Sequence, residues 1–159
     1  MLTMFNKADI ASLVNRRDGE TKLGEQFLFL DTTSINQNDI SVALKHAVAQ
    51  GAKFAIIGIS EDIGPRANLG RGGSDDAFTA SLNQFANLQS NRFCHGNQCL
   101  VVGIISPDNL FADNSDTEAL RQATAELDIQ VITFMSQIFA AGLEPIVIGG
   151  GHNNAFGLL

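Results

Sequence analysis

His152 invites a chemical reading first. It follows three glycines, Gly149, Gly150 and Gly151, which themselves follow the apolar run Ile146, Val147 and Ile148. A β-branched run with no polar break suits a strand buried on both faces of a parallel sheet. The glycines permit a sharp turn at the carboxyl end of that strand. Open α/β sheets place their ligands at that edge. The segment therefore predicts an imidazole at the mouth of the sheet, followed by Asn153 and Asn154. Such a histidine is either a metal ligand or a structural side chain bonded to the turn around it.

The second candidate is the stretch 60–74, S-E-D-I-G-P-R-A-N-L-G-R-G-G-S. Glycine and proline punctuate it as a loop, and it follows another buried apolar run, Phe54–Ile59. A surface loop with solvated charges is the plain reading. Its place at a strand's carboxyl end favours a site. Glu61, Asp62, Arg66, Asn68 and Arg71 are its candidate residues. Arg66 and Arg71 could bind a carboxylate or order the loop by hydrogen bonds, and the residues do not choose between these roles.

Other chemistries fit less well. Cys94, His95 and Cys99 offer three soft donors without the paired spacing of a zinc site. Residues 149–154 read G-x-G-x-x-N, one glycine short of a dinucleotide fingerprint and without an acidic residue about 20 positions on. No G-x-S-x-G nucleophile elbow occurs.

The Gly-Gly-Gly-His-Asn-Asn stretch resembles the first metal-binding signature of the ureohydrolases, the family of arginase, agmatinase and formimidoylglutamase. The loop E-D-I-G-P-R-A-N-L-G-R-G-G is similar to the longer version found in the formimidoylglutamase-like branch. The resemblance runs from about Ala52 onward. It implies that His152 matches a manganese ligand, with two manganese ions per site and a linear amidine or guanidine as substrate. In that family the metals stand about 3.5–4 Å apart and hold a hydroxide that attacks the amidine carbon. The later Asp-x-His-x-Asp and Asp-x-Asp motifs of the family do not occur in these 159 residues. The expectation is thus an amino-terminal part of a ureohydrolase-like hydrolase, inactive and without bound manganese as it stands. The alternative is a non-catalytic binding or assembly module on the same fold. Substrate identity and the origin of the shortening stay open.

Composition sets the outer limits. With 45% hydrophobic and 17% charged residues, a packed interior is expected rather than disorder. Seventeen acidic against ten basic residues give a net charge of -7. After Phe93 seven acids face a single basic side chain, Arg121. That balance argues against nucleic acid or an anionic membrane as partner. No apolar run reaches membrane-spanning length, and the start lacks a signal pattern. Two cysteines fit a reduced, cytoplasmic protein.

The elements that must position these residues can be read from periodicity. Strands are expected over 26–30, Phe54–Ile59, 100–105 and 145–148, with right-handed crossovers; the family resemblance implies that the second of these lies between the last two. One helix is expected from a cap at Asn36 or Asn38 to about Gln50, with Ile40, Leu44, Ala47 and Val48 inward. A second runs over 75–88, capped by Ser74, with Phe78, Leu82, Phe85 and Leu88 inward. A third opens on a capping box at residues 115–118 and runs to about Ala141. Residues 1–25 form an arm, and 26–159 an arginase-like, three-layer α/β/α domain with a mostly parallel sheet. In the family resembled, the outer neighbour of the strand ahead of His152 comes from the far carboxyl-terminal part, so the resemblance implies an apolar edge here that drives homo-oligomer formation.

Overall fold

The computed structural model describes residues 1–35, 39–107 and 116–159. Five strands form one sheet: β1 (Leu2–Met4), β2 (Leu28–Phe29), β3 (Phe54–Ile59), β4 (Cys99–Ile105) and β5 (Glu144–Ile148). The order is β1-β4-β3-β5, with β2 also pairing with β4. Thus β3 lies between β4 and β5, as expected. β2, β3 and β5 join in parallel, but β1 pairs antiparallel with β4. The sheet is therefore mixed, which corrects the expected mostly parallel sheet. The cause is Leu2–Met4, a three-residue segment too short to show a period-2 pattern.

Gly103 lets β1 in. Its φ is +141°, and a β-carbon there would collide with the Thr3 carbonyl. Just before it the β3–β4 register shifts by one residue.

Helices cover both faces. α2 (Ser41–Ala49), α3 (Ile63–Ala67) and α5 (Thr117–Ala140) pack on one. There Leu44, Ala47, Ile63, Leu127, Val131 and Ile138 meet Ala55, Ile57 and Ile59 of β3. α1 (Lys7–Ala11) and α4 (Ala77–Ala86) pack on the other, where Ile10, Phe78 and Leu82 meet Ile56 and Val101. The alternation of Ile56 against Ala55 and Ile57 is the pleat dividing the two cores.

Several boundaries move for physical reasons. α2 begins at Ser41, where Asp39 Oδ1 accepts the Ser41 N–H at 2.9 Å; the expected caps Asn36 and Asn38 lie outside the described residues. Val48 is 37% exposed rather than inward. α4 has no side-chain cap, because Ser74 Oγ is engaged with the Glu61 carbonyl at 2.8 Å. It ends at Ala86, so Leu88 falls beyond it and is 54% exposed. α5 is capped by Asp116, whose carboxylate accepts the Ala119 N–H at 2.8 Å; Ser115 lies outside the described residues. Leu120, Leu127, Val131, Phe134 and Ile138, which recur at helical spacing, form its buried stripe. The stretch 60–74 is not all loop, since α3 forms within it.

Candidate functional site

The carboxyl ends of β3 and β5 lie side by side, because Gly58 is paired with Ile148. The chain leaves both strands at one sheet edge. Gly149 (φ +93°) and Gly150 (φ +74°) then turn through the left-handed region that side chains disfavour. A 3₁₀ helix, His152–Leu158, follows.

The two exits are tied together by Glu61. This carboxylate is 2% exposed. Its Oε1 accepts the Gly151 N–H, and also Asn154 Nδ2 at 2.7 Å. Its Oε2 accepts the Gly64 N–H at 2.9 Å, which starts α3. Gly150 N–H donates to the Ser74 carbonyl at 3.4 Å, and Ser74 Oγ returns to the Glu61 carbonyl. A buried carboxylate is tolerated only when its oxygens are bonded, and here three donors converge on two oxygens.

Beside this staple lies a cleft of about 250 Å³, lined by Val147, Gly149, Gly150, Gly151, His152, Asn154, Ala155 and Leu158. His152 is exposed at its rim. Asn154 is buried and also donates to the Gly151 carbonyl at 3.0 Å. Asn153 faces α5, where its Nδ2 donates to Asp128 Oδ1 at 2.8 Å. Its Oδ1 is buried without a partner.

The remaining candidates stand apart from the cleft lining. Asp62 accepts the Gly73 N–H at 3.3 Å and Arg66 Nη1 at 3.4 Å. That pair lies within one helical turn, so Arg66 here orders the loop. Asn68 ends α3 and is exposed, as is Arg71. Of the glycine turn, Gly151 has its N–H committed to Glu61, so the turn is not a vacant phosphate cradle. Sequence reasoning placed Glu61 near the site without a role and did not name Asp128. No local signal joins residues 93 or 25 positions apart.

A two-manganese centre needs several oxygen donors. Among the described residues, no three His, Cys, Asp or Glu side chains converge in a way that could hold a metal ion. Glu61 sits close by, but its oxygens are filled by N–H donors. These residues therefore do not by themselves fit a two-metal site, and His152 stands as a single donor.

The chain is 32% identical over 105 residues to a formimidoylglutamase of Salmonella heidelberg (strain SL476), a match covering 66% of this chain and 29% of the relative. The same figures hold for the formimidoylglutamase of Salmonella schwarzengrund (strain CVM19633). A formimidoylglutamase of Streptococcus pyogenes serotype M5 (strain Manfredo) is 31% identical over 108 residues, 68% of this chain and 29% of the relative. The chain thus spans under a third of the curated relatives it matches. No protein-family model and no solved structure matches it. Among the described residues, no helix is long and apolar enough to cross a membrane.

Proposed function

We propose that this chain is part of a ureohydrolase-like hydrolase, with an arginase-like domain acting on the C–N bond of a linear amidine or guanidine. The observation that carries the reading is the similarity to formimidoylglutamases over two thirds of the chain. The geometry supports it, because an imidazole stands at the carboxyl edge of the sheet, where such folds bind ligands.

His152 is assigned as one metal donor, and manganese as the metal. When held by a complete donor set, such a metal would supply an activated water. The described residues contribute the turn, its glutamate anchor and one imidazole, and no further step is assigned to them. The described residues do not supply the other donors. Residues 1–25 serve as an arm and 26–159 as the domain proper. The protein is placed in the cytoplasm, and as a homo-oligomer associating along the apolar β5 edge.

The test is the coding sequence beyond Leu159 together with an assay of the longest in-frame polypeptide. An Asp-x-His-x-Asp motif, with manganese-dependent turnover of formimidoylglutamate, arginine or agmatine that His152→Ala abolishes, supports the reading. A stop codon after Leu159, with no turnover by any assembly of the chain, overturns it in favour of a binding or assembly module.

A further inference from the structure

Glu61, Asn154 and Lys22 are the buried polar or charged side chains among the described residues, and the first two bond to each other. The bonding partners of the Glu61 carboxylate are all uncharged N–H groups: two backbone amides and one side-chain amide. The glycine turn directs one N–H, that of Gly151, onto this carboxylate, while the Gly150 N–H goes to the Ser74 carbonyl.

We propose that Glu61 is the positioning residue of this site. Its buried carboxylate is the built-in anion of the glycine turn. By holding Gly151 and Asn154, one on each side of His152, it fixes the backbone from which the imidazole projects. The same carboxylate bonds Gly64 at the start of α3, so the loop after β3 and the turn after β5 are set as one unit. The claim rests on the proposed activity only for the importance it gives to His152. The geometry is independent of substrate and metal.

The number of acceptor oxygens on the side chain sets how many of these donors it can take. Three donors face two oxygens, and a carboxylate accepts all three. A glutamine at this position has one oxygen and one NH₂, so its NH₂ must confront at least one donor. The buried donor left unpaired then destabilises the turn.

Amide hydrogen exchange and His152 ring resonances, followed by nuclear magnetic resonance on the whole 159-residue chain, test this. In the unmodified protein the Gly151 amide should exchange at least about tenfold more slowly than an exposed loop amide. Exchange at the exposed-loop rate overturns the proposal without any variant. In Glu61→Gln, Gly151 should lose about tenfold in protection and the His152 ring signals should shift or broaden, while Val101 and Val102 in β4 stay protected. Unchanged Gly151 and His152 signals in a folded Glu61→Gln protein overturn it. Should Glu61→Gln unfold, Asn154→Ala removes one donor only: a moved His152 signal supports the proposal, and an unmoved one overturns it. Neither measurement uses metal or substrate. A failure here therefore leaves the proposed activity standing, and an inactive enzyme leaves this proposal standing.

Discussion

Asn154 Nδ2 donates to Glu61 Oε1 at 2.7 Å, across 93 residues of sequence and between two buried side chains. This bond ties the exits of β3 and β5 together and holds Asn154, which lines the cleft beside His152. Removing the amide leaves the buried carboxylate short of a donor. Asn154→Ala should lower stability by about 1–3 kcal/mol. Asn154→Asp should cost more, since it sets a second carboxylate against the first. Urea denaturation of both variants beside the parent protein checks the order. Equal stability of all three would mean that this pair carries no weight.

The entry of β1 gives a second expectation. Gly103 combines a left-handed φ with the close approach of Thr3, so any side chain there meets both strain and backbone. Gly103→Ala should destabilise by at least about 1–3 kcal/mol from overpacking alone, with backbone strain added. Thermal unfolding measures the loss. A change within experimental error would show that β1 can leave the sheet at no cost.

These two sites show what could be read from sequence and what could not. The long apolar runs announced β3 and β4, because a strand buried on both faces carries its signal in every residue; β5 forms where its apolar run predicts, but it is an edge strand with Ile146 39% exposed, not one buried on both faces. The α5 stripe was equally plain, since 24 residues repeat the helical period many times. β1 was missed because three residues hold too little pattern and its partner lies 100 positions away. Ser74 carries the local signature of a cap, and capping serines look alike in sequence. Its hydroxyl bonds to the Glu61 carbonyl instead, a tertiary choice that overrides local propensity. At the site, the glycines and His152 were legible as a turn at a strand end. The role of Glu61 was not, because an acid in a Gly-rich loop reads as solvated until the turn from β5 closes over it.

The cysteines predict a pH response. Burial, and then the neighbouring Cys94, push the Cys99 thiol up to about 11 from an ordinary value of 9.0. At pH 8 only about one Cys99 in a thousand is then thiolate. A thiol reagent at that pH should modify the half-buried Cys94 first and reach Cys99 only on unfolding. The sign for stability follows from the raised value: the folded state keeps its proton longer than the unfolded one. The contribution is full below pH 9 and is lost as pH rises toward 11. Reagent titration in native buffer and in urea checks the labelling order. Rapid native labelling of Cys99 would contradict it.

Association should occur along β5. Glu144 N–H donates to the Lys53 carbonyl at 2.9 Å, so Glu144, Ile146 and Ile148 bond toward β3 while Pro145 and Val147 face away. Pro145 has no N–H, which blunts the free edge for strand pairing. The apolar groove beside it remains, lined by Ile56, Leu82, Phe85, Ile146 and Ile148, with Ile146 39% exposed. Contact is therefore expected through side chains more than through a shared ladder. Light scattering should show mass rising with concentration, and Ile146→Lys should return the protein to monomer. A monodisperse parent protein at every concentration would remove the case for an oligomer.

The final expectation concerns metal and activity. A hard divalent ion of the manganese type takes about six ligands, mostly oxygen, and carboxylates offset its dehydration. The cleft lining offers one imidazole and the amide of Asn154. Asn154 already spends its Nδ2 on Glu61 and on the Gly151 carbonyl. Recruiting the Glu61 carboxylate to a metal would free the Gly151, Asn154 and Gly64 donors at once, so the turn's stability opposes that rearrangement. The 159-residue chain alone should therefore bind manganese weakly, and should release no urea, ammonia or formamide from arginine, agmatine or formimidoylglutamate above background. Calorimetric titration with manganese, run beside the three assays on this chain and on His152→Ala, decides the matter. Two tight sites per chain, or turnover that His152→Ala removes, would overturn this expectation and mean that the missing donors come from elsewhere, such as a second copy of this chain.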